Sequence, residues 1–436
     1  MSLASDVKVL WRARGFRRLT YARLVSQAGD GMFQVGIATA FFFDPTHATS
    51  GRSIAIGFAT LLAPFTIVGP FVGPLTDRWQ RQRIVLVGNL VRLLLVGVIV
   101  ACVAGGAPVW TLYTLALLAL SVNRFLLAAL TAGIPQVVPA SELLAANSVL
   151  PTLGTLAAAL GGALGAVLSF LSPASSDSSI ALAALVGAAI AFGVSSWLST
   201  LLHRTELGPV NPLETLDFVR QSRALVAELA AGVRHIVARR TPMHALGVMA
   251  AQRLLYGILF VAAILMSRSM FGASSTGGAT GTSALANFTI VLGFAAIGFA
   301  AAAVVTPIFG SRVDRHRWIV VCLLVGAVGQ ALLALSTETW ALLTTAVVVS
   351  FAVQGAKIAI DTIIQRDTDD EVRGRAFTLY DVLYNVAFIG AAVVAARLLP
   401  DSGYSAPVMG GLVLAYVLAA VIYSRTPKVA TRVGTS

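Results

Sequence analysis

The sequence predicts an all-α membrane protein with twelve transmembrane helices, arranged as two pseudo-symmetric halves of six. Three observations predict this fold: a very apolar composition, about twelve helix-length apolar runs, and a short charged motif that occurs twice. Of the 436 residues, 57% are hydrophobic and 11% are charged. A soluble domain is roughly 45–50% apolar and about 25% charged. The composition therefore predicts an integral membrane protein.

The apolar runs match the length that a bilayer requires, because a helix needs about 20 apolar residues to cross it. Charged and turn-forming residues separate each run from the next. The runs cover 19–43, 53–75, 84–105, 109–132, 146–171, 180–202, 245–267, 287–310, 318–336, 340–364, 376–398 and 406–424.

Basic residues orient these spans, because cytoplasmic loops of membrane proteins collect Lys and Arg. With a cytoplasmic N-terminus, 23 of the 31 basic residues fall inside, three fall outside and five lie within spans. Both termini are therefore expected on the cytoplasmic side. The predicted parts are an N-tail (1–18), an N-terminal half (19–202), a cytoplasmic linker (203–244), a C-terminal half (245–425) and a C-tail (426–436).

Two connecting segments have distinctive compositions. The linker segment 225–240 places apolar residues at helical spacing and arginines on other faces, which predicts an amphipathic helix along the inner membrane surface or a plain linker helix. Segment 273–286 is rich in Gly, Ser, Thr and Ala and predicts a flexible outer loop.

A short charged motif follows the second span and recurs 237 residues later, after the eighth. In such an inner turn, glycine allows close helix approach, an aspartate favours the start of the next helix, and arginines hold the loop inside. Two copies in register indicate an internal repeat, which is typical of secondary transporters. The residues are Gly73, Asp77, Arg78 and Arg81 in the first copy, and Gly310, Asp314 and Arg315 in the second.

This motif resembles the signature of the major facilitator superfamily, which runs Gly-x-Leu-x-Asp-Arg-x-Gly-Arg-Arg/Lys between spans two and three. The chain departs from it at Gln80 and Gln82. The resemblance implies the major facilitator fold for the whole chain. It also implies that the motif residues form a conformational latch between the halves.

A narrower resemblance follows from the order of several segments. LVSQAGDGMFQVGIA, GNLVRLLLV, IPQVVPASELLAANSV and RGRAFTLYDVLYN resemble the branch that contains enterobactin exporters, macrolide efflux proteins and lysophospholipid transporters. Exporters of the family often have Gly-Pro four residues before a Gly-Gly pair in span five. This chain has Ala157-Ala158 before Gly161-Gly162, so the proline is missing. These small residues predict close helix packing.

Polar residues inside the spans are functional-site hypotheses by default, because charge in the bilayer core is costly. Spans one and ten each carry four polar residues on one helix face, and spans four and seven carry smaller sets. In the fold that the chain resembles, these four spans line a central cavity. The candidates are Arg23, Gln27, Asp30 and Gln34; Asn123 and Arg124; Gln252, Arg253 and Tyr256; and Gln354, Lys357, Asp361 and Gln365.

Several candidates allow two interpretations. Asp30 is the first candidate for a cavity role, either in proton coupling or in pairing with a cation. In the alternative interpretation, it forms a static ion pair that holds helices together. Asp361 is the second candidate, although Lys357 lies four residues before it and could neutralise it within one helix. Arg23 could anchor at the interface or line the cavity. Arg92 in span three is a further cavity candidate, which could instead reach the inner face by snorkelling.

The sequence thus predicts a secondary transporter that exports amphipathic small molecules, drug-like or siderophore-like, in exchange for protons. Arg124 and Arg253 could then receive an anionic group. The alternatives are a lysophospholipid flippase without proton coupling and a non-transporting receptor or scaffold. Because the HExxH, GxSxG and P-loop motifs are absent, and the acidic cluster 367–371 borders arginines, no enzyme, metal or cofactor is predicted.

The expected partners are the lipid bilayer, an amphipathic substrate and protons. The net charge of +12 is explained by cytoplasmic loops rather than by nucleic acid. A monomer in a bacterial inner membrane is expected.

Overall fold

The computed structural model describes most of the predicted helices. It covers residues 10–43, 53, 56, 57, 59–62, 79–139, 142–171, 177–208, 240–269, 281–310, 313–367 and 370–426. Most of the second span, the motif residues Gly73, Asp77 and Arg78, and the amphipathic linker segment up to residue 239 lie outside the described residues. Within them, all regular secondary structure is helical.

The first compact unit contains the helices before the linker. Helix α1 continues into a π-helical turn at Thr39–Phe43, and α4 is a single short turn before α5. The helices are α1 (Arg14–Ala38), α2 (Arg81–Ala104), α3 (Val109–Ala132), α4 (Ile134–Val137), α5 (Leu143–Leu171) and α6 (Asp177–Ser199).

The second compact unit contains the helices after the linker. It comprises α7 (Arg240–Ser269), α8 (Gly281–Gly310), α9 (Arg315–Leu335), α10 (Thr339–Asp367), α11 (Asp370–Leu398) and α12 (Ala406–Ser424). Because α8 begins at Gly281, the prediction of a loop over 273–286 is wrong for its last six residues; residues 271–280 lie outside the described part.

Ten of these helices are long and apolar enough to cross a membrane: all of them except α1 and the short α4. Helix α1 is 25 residues long but carries the polar face predicted for span one. With the second span largely outside the described residues, the helices fit the predicted fold of twelve spans.

The internal repeat is visible in how the helices pack within each unit. In the first unit, α1 packs against α5 and α6, and α2 packs against α3 and α6. In the second unit, α7 packs against α11, and α9 packs against α10 and α12. Helices α7, α9, α10, α11 and α12 correspond to α1, α2, α3, α5 and α6 in chain order. The α7–α11, α9–α10 and α9–α12 contacts are therefore equivalent to the α1–α5, α2–α3 and α2–α6 contacts. The two units differ at one equivalent pair, because α7 packs far less extensively on α12 than α1 does on α6.

Helices α1 and α5 approach closely enough that only glycine fits at two positions. A Cβ on Gly31 would lie 2.0 Å from the Ala158 carbonyl oxygen, and one on Gly161 would lie 2.0 Å from the Ala28 carbonyl oxygen. The prediction that small residues of span five permit close packing is therefore confirmed.

Candidate functional site

The polar face of α1 meets Arg92 of α2 in the interior of the first unit. Asp30 and Arg92 form an ion pair, with 3% and 0% of their surfaces exposed. The other carboxylate oxygen of Asp30 accepts a hydrogen bond from Gln27 Nε2 at 2.8 Å. Both groups are thus paired and enclosed by protein.

Further hydrogen bonds extend this pair into a buried network, comprising Ser26, Asp30, Asn89, Arg92 and Ser195. Arg92 Nη1 donates to Ser26 Oγ at 3.3 Å, and Ser26 Oγ donates to Asn89 Oδ1 at 3.0 Å. Asn89 Nδ2 donates to Ser195 Oγ at 3.1 Å, and that hydroxyl donates to a carbonyl of α1 at 2.7 Å. The network therefore joins α1, α2 and α6.

The expectation that Arg92 reaches the inner face is wrong, because its side chain is completely enclosed. Its guanidinium lies 3.7 Å from the centroid of the Phe192 ring, and its ion pair with Asp30 holds it at that depth. If Arg92 extended to the membrane interface, its ion pair with the buried Asp30 carboxylate would be broken.

The other candidates of the first unit are distributed around this network. Arg23 is 6% exposed, and its Nε and Nη1 atoms make no hydrogen bond among the described residues. Asn123 is buried near the Asp30 carboxylate, Arg124 is half-buried, and Gln34 is exposed.

In the second unit, the polar face of α10 carries an ion pair of a different kind. Lys357 Nζ lies 2.7 Å from Asp361 Oδ2, and the two side chains remain 35% and 27% exposed. The second carboxylate oxygen, Oδ1, has no hydrogen-bond partner in the described chain. Gln354 is half-buried on the same helix, and Gln365 is exposed.

Arg253 of α7 lies among aromatic rings. Its Cζ atom is 3.9 Å from the centroid of Tyr384, 4.4 Å from that of Phe388 and 5.4 Å from that of Tyr256. We call these four residues the arginine cage. The neighbouring Gln252 is buried and donates to the Ala352 carbonyl at 3.2 Å, which ties α7 to α10.

An aromatic stack connects the ion pair of α10 to the arginine cage. Lys357 Nζ lies 5.6 Å from the centroid of Tyr380, and Tyr380 stacks on Tyr384 with centroids 6.0 Å apart. Tyr384 in turn contacts the Arg253 guanidinium. Both tyrosines project from α11, so this helix bridges the charged groups of α7 and α10.

An apolar cleft begins at Tyr256, with room for about two water molecules in its volume of about 30 Å³. Phe260, Phe288 and Leu259 form part of its wall, and Ser350 adds a hydroxyl. Tyr256 belongs to both the cleft and the arginine cage, so the two features are adjacent.

Only part of the predicted latch lies in the described chain. Arg81 Nη1 donates to the Ala132 carbonyl at 3.0 Å and to the Leu207 carbonyl at 3.2 Å, which fixes the end of α3 and the turn after α6. In the second copy, Gly310 ends α8, Asp314 is the N-cap residue of α9 without a side-chain capping bond, and Arg315 begins that helix.

Several residues of these clusters were missed by sequence reasoning. Asn89 precedes Arg92 by one helical turn, and Ser195 is a common residue in membrane helices, so neither stood out. The spacing of Tyr380, Tyr384 and Phe388 is four residues each time, which predicts one helical face and could have revealed the stack. Among the described residues, no group of His, Cys, Asp and Glu is arranged to hold a metal ion.

The family model described as "Major Facilitator Superfamily" matches residues 19–392, with a second match over 266–435. The chain belongs to the major facilitator superfamily. Two relatives, each an uncharacterized MFS-type transporter, one from Mycobacterium bovis and one from Mycobacterium tuberculosis, are 33% identical over 403 residues. The matches cover 89% of this chain and 86% of each relative.

Solved structures of the superfamily share this fold at low sequence identity. A nucleoside transporter matches with a TM-score of 0.66 at 13% identity, covering 94% of this chain and 99% of its own. A peptide transporter matches at 0.69 and 10% identity, with 93% of both chains covered. A D-xylose–proton symporter matches at 0.61 and 14% identity, with 98% of both covered. The family match and the relatives described as MFS-type transporters identify the chain as a multi-pass membrane transporter.

Proposed function

We propose that this transporter is a proton-coupled exporter of amphipathic small molecules in a bacterial plasma membrane, with Asp361 as the coupling carboxylate. The half-exposed Lys357–Asp361 pair carries the proposal. A coupling group must gain and lose a proton during the cycle, so it must be reachable by water and its partner must be able to release it.

The two candidate carboxylates differ in this respect. Asp30 is enclosed with Arg92, and both of its oxygens are occupied. The side chain of Asp361 is 27% exposed. Its Oδ1 atom is buried without a hydrogen-bond partner in the described chain, so this oxygen has room in its hydrogen bonding to take up a proton. These contacts favour Asp361 for proton exchange and Asp30 for a static ion pair.

The coupling step follows from the contacts of Lys357. A proton that binds the Asp361 carboxylate neutralises it and removes the attraction that holds Lys357 in place. The ammonium then interacts more strongly with Tyr380, 5.6 Å away, and with the stack that ends at the arginine cage. Loss of the proton restores the ion pair. Alternating access in this class of transporter arises from movement of one repeat against the other.

Proton release in everted membrane vesicles tests the proposal. The vesicle interior is acidified first. A macrolide, a catechol siderophore or a lysophosphatidylglycerol is then added, and the collapse of the pH gradient is followed. We expect one of these to release protons with the parent and not with Asp361→Asn. Asp401→Asn is the matched control, because Asp401 is an exposed carboxylate in the turn before α12. Equal proton release by Asp361→Asn and the parent would contradict the assignment.

A lysophospholipid flippase without proton coupling is the second candidate function. The observation that favours it is the adjacency, through Tyr256, of a cationic residue, Arg253, and an apolar cleft, which suits a phosphate head and an acyl chain. Movement of lysophosphatidylglycerol in gradient-free liposomes, without proton release in vesicles, would support it. If no compound moves in either assay, the receptor or scaffold alternative is favoured.

A further inference from the structure

We infer that the arginine cage and the adjoining cleft bind the anionic group of the transported solute. The solute would carry a carboxylate, sulfonate or phosphate on an apolar, preferably aromatic or acyl, body. This inference rests on the proposed function in one respect: it assigns the site to the substrate rather than to a regulator.

Arg253 lacks a polar partner in the described chain. Its guanidinium makes no hydrogen bond or ion pair within the described chain, and its Nε atom is buried without a partner. A guanidinium has five N–H donors and keeps its charge in proteins. Unpaired donors and charge inside a membrane protein are costly. The site is therefore set up to gain a partner.

Aromatic rings from two helices surround the Arg253 guanidinium. Tyr384 and Phe388 lie on α11, and Tyr256 lies one turn after Arg253 on α7. Cation–π contacts engage the electron-rich faces of the rings and supply no hydrogen-bond acceptor. The N–H groups are left for a negatively charged group with two oxygen acceptors, which a guanidinium binds with two parallel hydrogen bonds.

A glycine makes this arrangement possible. A Cβ on Gly257 would lie 2.9 Å from the Phe388 ring and 2.5 Å from the Ala391 side chain. Without a side chain at this position, Phe388 can pack beside Tyr256 and close one side of the arginine cage.

Two of the charged pairs inside the membrane-spanning helices neutralise themselves. Asp30 is neutralised by Arg92, and Asp361 is neutralised by Lys357. Arg253 has no acidic partner among the described residues, which leaves positive charge beside the cleft. A cationic solute would meet like charge there, whereas an anionic solute would supply the missing partner.

The lining of the cleft indicates that the part of the solute beyond its anionic group is apolar. Its wall is apolar except for Tyr256 and Ser350, and Phe260 and Phe288 contribute aromatic edges with ring centroids 5.5 Å apart. Because the cleft has room for about two water molecules in this structure, only the leading edge of an apolar body would pack against these rings in this state.

Binding to purified transporter in lipid nanodiscs, without a proton gradient, tests the inference. The radiolabelled probe is 2-naphthalenesulfonate, a permanent aromatic anion. N-methylquinolinium, a permanent aromatic cation of similar size, is the matched ligand. Lysophosphatidylglycerol is a competitor that distinguishes a lipid source of the anionic group from a soluble one. The variants are Arg253→Gln, Arg253→Lys and, as a control, Arg397→Gln, because Arg397 is exposed near the far end of α11.

We expect Arg253→Gln to weaken 2-naphthalenesulfonate binding by about 10- to 100-fold, as for the loss of a charged hydrogen-bond partner. Arg253→Lys should recover binding only partly, because the bidentate geometry is lost, and Arg397→Gln should bind like the parent. Displacement by lysophosphatidylglycerol identifies a lipid anion, and its failure to compete identifies a soluble one.

The inference is overturned if neither anion binds, if N-methylquinolinium binds as tightly, or if Arg253→Gln binds like the parent. Proton release is measured separately, so the two proposals can fail independently. Anion binding without proton release leaves the site in place and rejects the coupled exporter. Proton release driven by a cation, with no anion binding, does the reverse.

Discussion

The buried network of the first unit and the aromatic stack of the second each involve an ion pair, but the two pairs lie in different environments. The ion pair of the first unit joins α1 and α2, whereas the ion pair of the second lies within α10. In the first unit, both charges are enclosed, and hydrogen bonds to Ser26, Gln27 and Asn89 fill the space around them. In the second, Lys357 and Asp361 stay about one-third exposed, and aromatic rings surround the neighbouring arginine.

Helix packing around the polar faces also differs between the two units. Helix α1 packs extensively on α6, which brings Phe192 and Ser195 over the Asp30–Arg92 pair. Helix α7 packs much less on α12 and relies on α11. Under the proposed function, one half of the pseudo-symmetric repeat supplies a fixed polar core and the other supplies groups that exchange partners. We expect stability to depend on the first region and transport on the second.

The largest effect is expected when the Asp30–Arg92 pair is broken from one side. Asp30→Ala leaves the guanidinium of Arg92 buried without its counter-charge, which should lower the free energy of unfolding by about 3–5 kcal/mol. Thermal unfolding of the detergent-purified protein measures this. The double variant Asp30→Asn/Arg92→Gln, which removes both charges, should recover much of the loss. Equal stability of Asp30→Ala and the parent would contradict a fixed role for the pair.

A smaller loss is expected at the contact of α1 with α5, next to Asp30. Gly31→Ala places a Cβ in the Ala158 carbonyl, so the helices must separate, at a cost of about 1–3 kcal/mol. Gly97→Ala in α2 is the control, because its Cβ would meet nothing within 4 Å. The same unfolding experiment compares them. If both variants unfold alike, the close approach does not hold this region together.

The sequence allows some of this comparison to be predicted. Twelve apolar runs and the repeated motif predict the fold, and helical spacing places Asp30, Lys357 and Asp361 on polar faces. Their partners across helices could not be predicted, because Arg92 meets Asp30 only after α1 and α2 pack, and exposure depends on a third helix. The Lys357–Asp361 pair could be predicted, because both residues lie on one helix.

A moderate effect is expected where the aromatic stack joins Arg253. Tyr384→Leu removes the ring that lies between Tyr380 and the guanidinium, a contact worth about 0.5–2 kcal/mol. Tyr384→Phe retains the ring and is the control. We expect Tyr384→Leu to reduce substrate-driven proton release several-fold while Tyr384→Phe resembles the parent. If both variants lose activity equally, the hydroxyl and not the ring is what matters.

The smallest effect on stability is expected at the Lys357–Asp361 pair, and it separates the two regions most clearly. A partly exposed pair four residues apart on one helix contributes roughly 0.2–0.5 kcal/mol, because water already solvates both charges. The double variant Lys357→Gln/Asp361→Asn should therefore unfold within about 0.5 kcal/mol of the parent. In vesicles, however, it should no longer release protons on addition of substrate, because the only titratable carboxylate described on this face of α10 has been removed. A large loss of stability would show that this pair, like Asp30 and Arg92, is a fixed part of the core. Preserved proton release would place the coupling group elsewhere in the chain.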